Sequence, residues 1–248
     1  MRAKASLSKI KIFATVLYVV AAFPLFAQQN QTDHSHSAFP HPINATMAIP
    51  DPVGSYNVRL NTFRQQTETK TEYDVSGHIS YGLFDWGGIH LRSLGVRTTP
   101  FTEIIGMVGL WRNKERTEGI SLLGIVGVPT GRKSEEGKEH GLAYLFGVTG
   151  RIAKKDLITN DILLHYDFSA GHFIAETGSV LKLSHSLFAT LDTRGIFGGK
   201  IKPDISFMPA LKLKFIEYGF IALGYNTATT NGTLFKNQVF LQFEFGNH

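Results

Sequence analysis

Three groups of side chains have types and spacings that could do chemistry. His34, His36 and His41 form a short histidine-rich tract. Neutral imidazoles of this kind can take up a zinc or copper ion, although such a tract is compositional evidence only. His78 stands between Ser76 and Ser80 with Asp74 on the same polar face, and His165 stands beside Asp167. A serine and a histidine within hydrogen-bond reach can form a nucleophile and base, but they need a third group to orient the ring. Residues two apart on one strand do not supply it, so lining of a watery surface is the simpler reading. Gly127 to Ser134 has the glycines and lysine of a phosphate-binding loop, yet Arg132 separates Gly131 from Lys133 and no helix pattern follows. The sequence therefore predicts no catalytic residue, no cofactor and no enzyme.

The elements that would carry these residues are strands. From Gly54 onward the apolar pattern has a period of two. Tyr73, Val75, Gly77, Ile79 and Tyr81 alternate with Glu72, Asp74, Ser76, His78 and Ser80. Successive strand side chains point to opposite faces, so one face meets an apolar medium and the other meets water. Twelve such stretches are predicted near 54–66, 71–82, 88–98, 102–112, 119–128, 141–153, 159–170, 173–184, 186–196, 204–215, 218–226 and 235–246. Most approach the roughly 9–11 residues that a tilted strand needs to cross a bilayer. The stretches 102–112 and 119–128 are apolar on both faces, so their register is not readable. A slip of the alternation at Ser93-Leu94 predicts a bulge.

One face is rich in Tyr, Phe and branched residues, and the other is charged. A small water-soluble barrel would have to bury those charges and expose those aromatics. A barrel in lipid reverses the arrangement. The prediction is an all-β, antiparallel transmembrane barrel of about twelve strands. Its lumen would be lined by Asn57, Arg59, Asp74 and His78 on the first two strands. His90, Arg92, His165 and Asp167 follow, then Asp192, Arg194, Lys212, Lys214 and Glu244. Val75, Ile79, Leu164, Phe168, Leu213 and Phe243 would face lipid. Tyr56, Tyr73, Tyr81, Trp86 and Trp111 fall near strand ends, where interface girdles form.

The N-terminus reads as an export signal. Arg2, Lys4, Lys9 and Lys11 precede an apolar run, Ile12 to Ala27, that ends abruptly at Gln28-Gln29-Asn30-Gln31. Cleavage is expected near Ala27, although Leu25 is a mediocre residue for the site. Those four cations supply most of the formal charge of +5, so the basic balance does not point to nucleic acid. The chain has no cysteine, hence no disulfide and no lipid-anchor site. Residues 28–53, punctuated by Pro40, Pro42, Pro50 and Pro52, are expected to form a mobile or extended periplasmic arm before a barrel spanning 54–248.

Two motifs carry a family resemblance. Asp74 to Asp85 (DVSGHISYGLFD) is a strand running into a Gly-Leu-Phe-Asp turn, and Leu123 to Gly131 (LGIVGVPTG) is a strand ending in Pro-Thr-Gly. With the closing aromatic strand they make residues 54–246 resemble the outer-membrane barrel family named after the phenol meta-cleavage degradation pathway. The histidine-containing arm and the tail Gly246-Asn247-His248 depart from that pattern. The resemblance implies passage of small, aromatic or hydrophobic compounds and no catalytic residue. A transporter in contact with outer-membrane lipid and a small solute is the expectation. An outer-membrane hydrolase and a filled structural or adhesive barrel remain as alternatives, and the oligomeric state stays open.

Overall fold

The computed structural model describes residues 40–43, 45–66, 71–93, 101–130, 141–154, 156–198, 203–228 and 237–247. Twelve strands follow one another: β1 Tyr56–Gln66, β2 Thr71–Phe84, β3 Gly87–Ser93, β4 Phe101–Arg112, β5 Glu118–Pro129 and β6 Ala143–Lys154. They continue as β7 Ile158–Asp167, β8 His172–Lys182, β9 Leu187–Phe197, β10 Asp204–Ile216, β11 Gly219–Ala228 and β12 Gln238–Asn247. Each pairs antiparallel with its neighbours, and β1 pairs with β12, so the sheet closes into a barrel with no free edge. Closure satisfies the backbone groups that an open edge would leave bare in lipid.

The predicted strands coincide with the observed ones to within a few residues, with one difference. β3 was expected over 88–98 and spans Gly87–Ser93 among the described residues. Leu94, the second residue of the predicted bulge, and the histidines His34 and His36 lie outside them, as does the export signal. A ladder irregularity is instead found on β4, between Gly109 and Trp111. It inserts Leu110, so Leu110 and Trp111 both point outward in succession.

The outer surface is apolar. Val75, Leu164, Phe168, Leu213 and Phe243 are exposed on it, and Ile79 is half-buried among its neighbours. Tyr56, Tyr73, Trp86 and Trp111 are exposed near strand ends, with Trp86 stacked on Phe84 at 5.3 Å. At the rim holding both ends of the barrel sequence the connectors are 85–86, 113–117, 155–157, 183–186 and 217–218. At the other rim they are 67–70, 94–100, 130–142, 168–171, 198–203 and 229–237. Short turns on one rim and longer loops on the other are the usual asymmetry of an outer-membrane barrel.

The β4 and β5 register, unreadable in sequence, is set by what lies inside. Ile105, Met107, Leu123 and Ile125 point inward and pack with Ala143, Leu145, Leu163 and Ile174. Both faces of β4 and β5 are thus apolar because this sector of the lumen is itself apolar.

Candidate functional site: a strapped lumen

Residues 40–53 were expected to form a periplasmic arm. The described ones run inside the barrel as far as Asp51, with His41, Ile43, Ala45, Thr46, Ala48, Ile49 and Asp51 buried, and the segment emerges at the exposed Val53. We call this segment the strap. Inside a barrel its backbone cannot pair with a ladder, so side chains of the wall must satisfy it. They do. Asp192 on β9 accepts from Ile43 N at 3.1 Å and from Ala45 N at 2.8 Å. Glu244 on β12 accepts from His41 N at 2.9 Å and from the His41 ring at 2.7 Å. Arg59 on β1 donates to the Pro42 and Ala45 carbonyls at 2.6 and 3.1 Å. Gln242 donates to the Ile43 carbonyl at 2.9 Å, and Lys212 donates to that of His41 at 2.7 Å.

The clasp is charge-assisted at its base. Lys212 Nζ lies 2.6 Å from Glu244 Oε2, with both side chains buried. Above it Ile43 packs into Phe63, Met208, Ala210, Ala222 and Phe240. The strap then descends toward the short-turn rim, where the Arg116 guanidinium donates to the Pro50 carbonyl. Gly54, at φ +75°, turns the chain into β1, and its N–H donates to the Gly82 carbonyl at 2.9 Å.

Strand glycines make the room. A Cβ at Gly178 would sit 2.5 Å from Pro42, and one at Gly119 would sit 2.4 Å from Ile49. One at Gly82 would lie 2.0 Å from the Pro52 carbonyl oxygen. Glycine inside a strand marks a close approach, and here the approaching body is the strap.

The predicted lumen residues divide by environment. Asn57, Arg59, Asp74, His78, His90, Arg92, His165, Asp192, Lys212 and Glu244 are buried within the barrel, and Asp167, Arg194 and Lys214 are partly buried. Arg59 Nη2 lies 2.5 Å from His78 Nδ1. A guanidinium only donates, so Nδ1 accepts and His78 Nε2 carries the proton given to His90 Nδ1 at 3.1 Å. Both His78 ring nitrogens are therefore engaged away from Ser76, whose hydroxyl accepts from Asn61 Nδ2 at 2.8 Å. The Ser–His pair required by the hydrolase alternative is not formed. His41, the described member of the metal-candidate tract, is held by Glu244, and the described residues contain no group of three side chains able to hold a metal ion.

Nearer the long-loop rim, Arg92 on β3 reaches across to β8. Its Nη1 donates to Glu176 Oε2 at 2.8 Å and its Nη2 to Glu176 Oε1 at 3.3 Å, while its Nε donates to Glu103 on β4 at 2.6 Å. Arg194 Nε lies 3.3 Å from Glu176 Oε1. Sequence reading missed Glu103, Glu176 and the whole strap. On β8 the inward residues are Ile174, Glu176, Gly178 and Val180, a mixture with no polar alternation to follow.

Solved structures of the same shape are known. The KdgM porin superposes with a TM-score of 0.57 at 10% identity, over 78% of this chain and 99% of that one. The COG4313 outer membrane channel from Pseudomonas putida F1 gives 0.57 at 11%, over 81% and 98%. The fold is that of the outer-membrane porin-like barrels. The NanC porin matches likewise, at 0.55 and 9% identity, over 76% and 97%. At such identities the likeness establishes the fold. No protein-family model and no curated protein matches the chain.

Proposed function

We propose that the protein is an outer-membrane channel for small solutes, exported with loss of a signal peptide near Ala27 and held closed by its own strap. The observation that carries this reading is a closed barrel whose outside is apolar and whose lumen is a hydrogen-bonded, charged interior crossed by residues 40–53. An apolar belt meets lipid, and a polar lumen holds water once opened. The apolar sector formed by Ile105, Met107, Leu123, Ile125, Leu145, Leu163 and Ile174 favours an aromatic or hydrophobic solute. That preference agrees with the resemblance to the phenol meta-cleavage barrel family. The buried strap also favours a second reading, a filled barrel with a structural role.

Two measurements test the reading. The protein should fractionate with the outer membrane, and unheated protein should migrate differently from boiled protein on a detergent gel. Recovery as a soluble periplasmic protein would end it. Liposome swelling with small solutes then separates the two readings, because a filled barrel admits none even when the strap is loosened.

A further inference from the structure

The bridge from Arg92 to Glu176 lies on the long-loop side of the strap. On β3 Arg92 is the next inward position beyond His90, and on β9 Arg194 is the next beyond Asp192, which holds the strap. On β8 Glu176 is the next beyond Gly178, against which Pro42 packs. β3 and β8 are not neighbours around the barrel in either direction. The bridge therefore spans the lumen rather than running along its wall.

Each pole of the bridge has a second partner of opposite charge on its own side. Arg92 and Glu103 are register partners on β3 and β4, and their side chains are 2.6 Å apart. Glu176 and Arg194 are register partners on β8 and β9, 3.3 Å apart. Breaking a buried ion pair is costly when it leaves a charge uncompensated. Here the break leaves two neutral pairs, Arg92 with Glu103 and Glu176 with Arg194. His165 Nε2, 3.8 Å from Glu176, is a further neighbour on the β7 side.

We propose that the Arg92–Glu176 bridge is a second gate, in series with the strap, built to part along its middle into two self-neutralised halves. The proposal rests on the channel reading above. Arg92 and Glu176 are the bolt, and Glu103 and Arg194 are counter-charges that make withdrawal easy. Their removal should have opposite consequences. Loss of Arg92 opens the gate. Loss of Arg194 leaves Glu176 dependent on Arg92 and fastens it, whereas a bridge that merely braces the wall would be loosened by either change.

The test is planar-bilayer conductance of the full chain with residues 42–49 replaced by a Gly/Ser linker. In that background Arg92→Gln should raise the open fraction by about tenfold or more, the shift equivalent to about 1.4 kcal/mol. Arg194→Gln should lower it. Shifts of the same sign in both variants, or of neither, would overturn the gate and leave the channel reading standing. Absence of conductance from every variant, with the folded migration intact, would overturn the channel reading as well. Should the linker chain not fold, the protein with its natural strap and His90→Cys reports the same contrast, since the natural chain has no cysteine. Labelling from the long-loop side by an impermeant maleimide should be faster with Arg92→Gln and slower with Arg194→Gln, and equal effects would again overturn the proposal.

Discussion

The two walls of the lumen are made differently. The wall running from β9 through β12 to β3 presents Asp192, Lys212, Gln242, Glu244 and Arg59, which grip the strap by hydrogen bonds, with His78 and His90 beside them. The wall from β4 to β8 presents Ile105, Leu123, Ile125, Leu145 and Ile174, and it meets the strap where glycines leave space. The first wall fixes the strap by direction, because hydrogen bonds and ion pairs tolerate little displacement. The second fixes it by shape, save at the short-turn rim, where Arg116 donates to the Pro50 carbonyl. A segment held by direction on one side and by shape on the other can be freed by breaking a few polar contacts.

The contrast can be broken most severely at the polar wall. Glu244→Ala should cost about 3–5 kcal/mol, because it leaves Lys212 buried without its carboxylate. Replacing both partners, Lys212→Met with Glu244→Met, should recover only the part of that loss due to the uncompensated charge, because the buried His41 N–H and carbonyl stay without these partners. Denaturant unfolding in detergent checks both variants, and equal losses in the two would contradict the account. Next in size is the outer face of the apolar side. Leu164→Arg places a charge in lipid and should cost roughly 2–4 kcal/mol, read as loss of the folded band on an unheated gel. A normal yield of folded barrel from that variant would show β7 to be inverted.

A smaller effect isolates the fit by shape. Gly178→Val forces a side chain into Pro42 and Ala45 and should cost about 1–3 kcal/mol. It should also speed maleimide labelling of Ile43→Cys, and unchanged labelling would mean the strap is not seated by that glycine. The smallest effect sharpens the comparison. Ile125→Val, in the apolar wall, should cost roughly 0.5–1.5 kcal/mol and leave the labelling of Ile43→Cys untouched.

What was legible in the sequence follows the same division. On β1, β2, β7 and β12 a polar lumen opposes an apolar exterior, so Arg59, His78, His165 and Glu244 could be assigned to the inner face from alternation alone. On β4 and β5 the lumen is apolar too, and alternation carries no information about facing. The strap was hidden for another reason. Its segment has no period and several prolines, which reads as an unattached arm. What attaches it is side chains between about fourteen and two hundred positions away, from Arg59 at one extreme to Glu244 at the other. The glycines that clear its path were visible, but a glycine does not state what approaches it.

The strap also ties together the ends of the chain in time. The ladder between β1 and β12 joins the first strand to the last, so it is the one that turns a curled sheet into a barrel. Arg59 comes from β1, Gln242 and Glu244 come from β12, and all three hold strap backbone. Strap seating and seam closure are therefore one cooperative event, in which each lowers the entropic cost of the other. The segment that crosses the finished lumen thus bridges the two strands whose pairing closes it.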